Sequence, residues 1–101
     1  MPIRRLTDIQ LGSIQTTKVL SVTTAETVFT IGSGNRAVEF TNLSTVNVYL
    51  GQSGVLVNSG SVITENGSKF YDTVVDDFTI YLVNASAGVT SRVVAQEYAG
   101  N

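Results

Sequence analysis

Catalytic chemistry has few places to reside in this chain. Its 101 residues include no histidine and no cysteine. Imidazole bases, thiolate nucleophiles and Cys/His zinc sites are therefore out of reach, and no disulfide framework can form. Carboxylates remain. Asp76 and Asp77 are adjacent, and Asp72 lies four residues earlier. Neighbours in a strand point to opposite faces, so adjacency does not make a catalytic dyad. Glycoside hydrolysis would need a groove and a set separation between two carboxylates. A loop calcium site from Asp72, Asp76 and Asp77 is one reading, since calcium takes carboxylate and carbonyl oxygens. A solvated acidic turn that keeps a strand edge from pairing is the simpler one. Gly32-Ser33-Gly34 precedes a strand pattern rather than a helix, so it lacks the helix N-terminus that would hold a phosphate. The expectation is no enzyme, no cofactor and no metal.

Recognition chemistry is better represented. Tyr49, Phe70, Tyr71, Tyr81 and Tyr98 could line a sugar- or peptide-binding face. Tryptophan, the strongest stacking platform, is absent, which weighs against carbohydrate. Alternation instead assigns several of these rings to the second face of a two-sided sheet or to a subunit contact. The net charge of −2 conceals an asymmetry: Arg4, Arg5 and Lys18 against Asp8 make the first twenty residues +2, and the remainder is −4. An acidic body argues against general nucleic-acid binding, which needs several phosphate contacts from Lys and Arg. No apolar run is long enough to span a membrane, and no secretory pattern opens the chain. Asn42-Leu43-Ser44, Asn66-Gly67-Ser68 and Asn84-Ala85-Ser86 match the glycosylation pattern, which we read as chance in a Ser/Asn-rich chain.

The elements that would position these groups are strands. Fifteen valines and thirteen threonines favour pleated surfaces. Period-2 alternation marks Thr27–Ile31, Arg36–Asn42, Val46–Leu50 and Phe78–Asn84, and Thr17–Val22, Ser61–Thr64, Ser68–Thr73 and Thr90–Tyr98 read as further strands between turn signals. Val55–Val57 is a shorter apolar run. Turn residues separate them: Gly32-Ser33-Gly34-Asn35, Gly51–Gly54, Ala85–Gly88, and Glu65-Asn66-Gly67, where Asn-Gly is a hairpin signal. Val46–Gly51 echoes Phe78–Val83, a pattern that two strands of one sheet can share without duplication. The spacing predicts one all-β domain, an antiparallel β-sandwich or small barrel of jelly-roll or immunoglobulin-like outline with seven or eight short strands.

The first residues break this pattern. Ile3, Leu6, Ile9, Leu11 and Ile14 fit no strand alternation, and Pro2, Arg4 and Arg5 stand among them. We assign residues 1–16 to an extended N-terminal arm, 17–98 to the β body and 99–101 to a frayed end.

The run Val38–Gly51 (VEFTNLSTVNVYLG), followed by Ser53-Gly54-Val55, resembles small virion proteins of tailed bacteriophages. The order of Gly67–Tyr71, Phe78–Gly88 and Thr90–Tyr98, and the opening Met1–Leu6, resemble them as well. The resemblance covers roughly residues 20–98. It implies a non-enzymatic structural role, as a capsid decoration (cement) protein or a neck or tail component, acting as a symmetric oligomer, often a trimer. On that reading the partners are the major capsid protein or other virion proteins, and the site is a virion assembled in the host cytoplasm. The contacts would come from the arm residues Ile3, Arg4, Arg5, Leu6, Ile9, Leu11 and Ile14. A carbohydrate-binding β-sandwich is the reading from another class.

Overall fold

The structure, a computed structural model, describes residues 14–54, 60–72 and 74–99. It is all-β. Eight strands follow in order: β1 (Ile14–Val22), β2 (Thr27–Thr30), β3 (Asn35–Asn42), β4 (Val48–Gly51), β5 (Ser61–Ile63), β6 (Ser68–Tyr71), β7 (Thr79–Asn84) and β8 (Ser91–Ala99). They form two four-stranded antiparallel sheets. Sheet I has the order β1-β8-β3-β6 and sheet II the order β2-β7-β4-β5. The chain changes sheet at every connection except β4 to β5. That is the double Greek-key order of a jelly roll, not the immunoglobulin one.

The alternation read from the sequence decides which side chains fill the space between the sheets. Val38 and Phe40 of β3, Val93 and Ala95 of β8, and Val22 of β1 point in from sheet I. Phe29, Val48, Leu50, Ile63, Ile80 and Leu82 meet them from sheet II, and all are buried. Each such aliphatic or aromatic side chain contributes about 1.5–3 kcal/mol by leaving water. Phe29 packs edge-to-face on Phe40 with centroids 5.0 Å apart, and Phe40 packs on Tyr71 at 5.9 Å. This ring series joins the two sheets across the core.

Two expectations change. Asn66-Gly67 forms a turn, with Asn66 at φ 60°, but not a hairpin. β5 pairs with β4 and β6 pairs with β3, so the turn arches from one sheet to the other. The reason is a competing partner. Asn66 N–H donates to the Asn42 carbonyl and Asn42 N–H donates to the Gly67 carbonyl, at 2.8 and 2.9 Å. The second change is at the arm boundary. β1 opens at Ile14, opposite Tyr98, so part of the segment assigned to the arm belongs to sheet I. The echoing runs around Tyr49 and Tyr81 are neighbouring antiparallel strands, with Leu50 opposite Leu82; they share a pattern because they line the same core.

Candidate functional site

A buried, charged cluster lies at the end of the sandwich where β1 begins. Period-2 alternation in β8 puts Glu97 on the same face as Val93 and Ala95, so its carboxylate enters the interior and is fully buried. A buried charge persists only when it is paired and hydrogen-bonded. Oε1 accepts from the Gly32 N–H at 2.6 Å and the Asn35 Nδ2 at 2.9 Å. Oε2 faces the Lys18 ammonium at 2.9 Å. Lys18 reaches in from β1, donates to the Thr30 carbonyl at 3.0 Å and lies 5.0 Å from the Phe29 ring centroid. The ladders bend here. β1 has a register irregularity between Ile14 and Thr16, and β3 has one between Asn35 and Ala37, both against β8 at Glu97 to Ala99. Bulges of this kind re-aim side chains.

The electrostatics give this cluster its character. Burial pushes the Glu97 carboxyl upward, but the Gly32 N–H, the Asn35 amide and Lys18 together outweigh it and hold the group below its ordinary value. A general acid working near neutrality needs the opposite shift. Glu97 is thus a fixed anion that ties the first strand, the β2–β3 turn and the last strand together. The turn is built to admit it. Asn35 N–H donates to the Gly32 carbonyl at 3.1 Å, and Gly34 sits at φ +84°, a conformation that glycine adopts without a steric cost.

Two asparagines play a matching role at the other end of the strands. Asn42 closes β3, and its Nδ2 donates to the carbonyls of Val46, Ile63 and Thr64, while Oδ1 accepts from Ser44 N–H and Oγ. Asn84 closes β7, with Nδ2 donating to Val22 and Val89 carbonyls and to Ser91 Oγ, while Oδ1 accepts from Ser86 N–H. Both are buried. The Asn-x-Ser spacing that matched a glycosylation pattern is here a cap: Oδ1 binds the serine backbone two residues on.

The residues singled out in the sequence are distributed as follows. Ile3, Arg4, Arg5, Leu6, Ile9 and Leu11 lie outside the described residues, as does the run Val55–Val57. Ile14 is the first residue of β1. The carboxylates of Asp72, Asp76 and Asp77 do not form a metal-binding group, and among the described residues no three His, Cys, Asp or Glu side chains do. Asp76 pairs with Arg36 at 2.5 Å. The aromatics divide among three places. Tyr71 is partly buried and packs against the core cluster. Phe70 and Tyr98 meet edge-to-face on the outer side of sheet I, with centroids 6.2 Å apart. They close over β3 between them, where Ala37 is fully buried because a methyl group leaves room for the rings. Tyr49 and Tyr81 stand on the outer side of sheet II, opposite Val83 and Gly51.

The two outer faces differ in chemistry. The strands of sheet II carry no charged side chain. Gly54 N–H and Ser53 Oγ donate to the Glu26 carboxylate. Glu26 precedes β2, two strands from β4 and toward the opposite end, so the turn after β4 leans back across the outside of β7. Val83 is accordingly 4% exposed although it faces outward. Sheet I keeps charges on its outer side: Glu39 stands opposite Gln96 and Phe70, and Arg92 opposite Ser21.

Sequence reasoning did not single out Glu97 and Lys18, although the signal was there. Alternation puts Glu97 in line with Val93 and Ala95, and Lys18 in line with Leu20 and Val22. An acid and a base, each on the apolar face of its strand, require partners. Searches against family models, curated proteins and solved structures return no match for this chain.

Proposed function

We propose that this chain is a non-enzymatic virion structural protein of bacteriophage type, a capsid decoration (cement) protein. Its β body sits on the shell as a symmetric oligomer, a trimer in the arrangement we favour. Its N-terminal arm contacts a neighbouring shell subunit through Ile3, Leu6, Ile9 and Leu11, with Arg4 and Arg5 towards acidic groups, and Ile14 opens the strand that follows the arm. Many weak contacts repeated by symmetry give the avidity that such a role requires.

The observation that carries this reading is the anchoring of β1. Whatever the preceding residues grip, the load enters the body at Ile14 and runs along a strand paired with β8 from Ile14 to Val22. A pull along that strand loads the ladder in shear, many hydrogen bonds at once, and Lys18–Glu97 ties the same two strands inside the core. The resemblance of Val38–Val55 to phage virion proteins supports the same reading.

The test is the position and copy number of the chain in purified particles. Hundreds of copies spread over the shell fit decoration. Six or twelve copies on the portal axis would move the protein to the neck or tail, the alternative within the virion. Absence from particles would overturn both.

A further inference from the structure

We infer that the β body is a pair of interlocked binding partners carried on one chain. The half from β1 to β4 and the half from β5 to β8 recognise each other as two molecules would, and the covalent link between β4 and β5 is not needed to hold them together. This goes beyond the shell-binding reading and does not depend on it. The strand orders carry the inference. Every neighbouring pair in β1-β8-β3-β6 and in β2-β7-β4-β5 joins one of the first four strands to one of the last four. Among the described residues neither half holds a ladder of its own, so neither can satisfy its strand backbones alone. Each half is the other's source of ladder hydrogen bonds.

The two halves are also equivalent. Exchanging β1 with β5, β2 with β6, β3 with β7 and β4 with β8 turns the order of sheet I into that of sheet II, read from its other edge. The asparagine caps obey the same exchange. Asn42, closing β3, donates to the carbonyl of Ile63, the last residue of β5; Asn84, closing β7, donates to that of Val22, the last residue of β1. Each cap thus clasps the opposite half. Equivalent halves could pair like with like, and charge opposes that. Residues 1–54 carry four basic and three acidic side chains, a net +1, and residues 55–101 carry two and five, a net −3. The ion pairs Lys18–Glu97 and Arg36–Asp76 each join one half to the other. Two copies of the second half would repel and would leave Glu97 buried without Lys18. The complementary half is therefore the partner that the surface selects.

A protease recognition sequence in place of residues 55–59 of the full chain lets the connection be cut after folding. The cut protein should keep the solution mass of the uncut chain at micromolar concentration and separate only in denaturant. Its melting should become concentration-dependent, while that of the uncut chain should not. After denaturation and return to buffer, native mass spectrometry should find each first half joined to one second half. A second variant removes the same connection without substitution: the full chain opened between Val57 and Asn58, with Asn101 joined to Met1. Tyr98 lies opposite Ile14, so the new link starts and ends on neighbouring strands, and the variant should unfold as cooperatively as the original. Dissociation of the cut halves in buffer, a half that folds by itself, rejoining of like halves, or a permuted chain that fails to fold would overturn the inference. These measurements use no capsid, so their failure leaves the shell reading standing, and failure of capsid binding leaves this one standing.

Discussion

Lys18 and Glu97 meet 2.9 Å apart at the inner side of sheet I, one from the first strand and one from the last. The pair is asymmetric: the Glu97 side chain is fully buried, while the Lys18 side chain is 39% exposed. Removing one partner strands the other, and the two strandings differ in cost. Lys18→Met leaves a buried anion with only Gly32 and Asn35 and should destabilise by about 1–3 kcal/mol, below the full buried-pair range because water reaches the lysine. The double variant Lys18→Met/Glu97→Leu should cost less than the sum of the single changes. Urea denaturation of all four proteins measures that coupling.

Acid should cost the wild type more stability than it costs its Glu97→Gln variant. The Glu97 carboxyl sits below its ordinary value of 4.5 in the folded chain, because its hydrogen bonds and Lys18 outweigh burial. A group lowered in this way contributes its full stability above its unfolded value and loses it as pH falls through the folded one. The melting temperature of wild type should therefore exceed that of Glu97→Gln near neutrality, and the gap should close as the pH drops below 4.5. A gap independent of pH would show that Glu97 titrates alike in both states.

The β2–β3 turn should be intolerant of side chains for two different reasons. A Cβ on Gly32 would stand 3.1 Å from Glu97 Oε1 and 3.2 Å from Asn35 Nδ2, so Gly32→Ala must displace the carboxylate or lose its 2.6 Å bond. A Cβ on Gly34 meets nothing within 4 Å, and its cost is backbone strain at φ +84°, about 1–2 kcal/mol for an alanine. Thermal melts should rank both below wild type. Only Gly32→Ala should also weaken the pH dependence, because only it touches Glu97.

Asn42→Ala and Asn84→Ala should each cost about 2–4 kcal/mol, since each leaves one buried carbonyl and at least one partly buried carbonyl without its donor. Asn66→Ala, in an exposed turn at φ 60°, should cost about 1 kcal/mol from strain alone. Chemical denaturation separates the two classes.

Much of this fold is legible along the chain. Val38-x-Phe40, Val48-x-Leu50 and Ile80-x-Leu82 announce their buried faces by alternation, and Gly34, Gly54 and Gly88 mark turns where φ is positive. What escapes is non-local. Asn66-Gly67 reads as a hairpin because the local pattern cannot tell that Asn42, far back in the chain, takes the turn's hydrogen bonds. The arm boundary is misread because Ile14 joins sheet I through a bulge, and a bulge breaks the alternation by which strands are recognised. The Lys18–Glu97 pair is half legible. Each residue is visibly misplaced on an apolar face, but only the strand order β1-β8 brings the two together.

The most direct test of the decoration account is capsid occupancy with and without the arm. Residues 1–13 precede β1 and can be deleted without removing a residue of the described ladder. The account predicts that the shortened chain keeps the cooperative unfolding of the β body and fails to bind shells that the full chain saturates. Full occupancy by the shortened chain would contradict it.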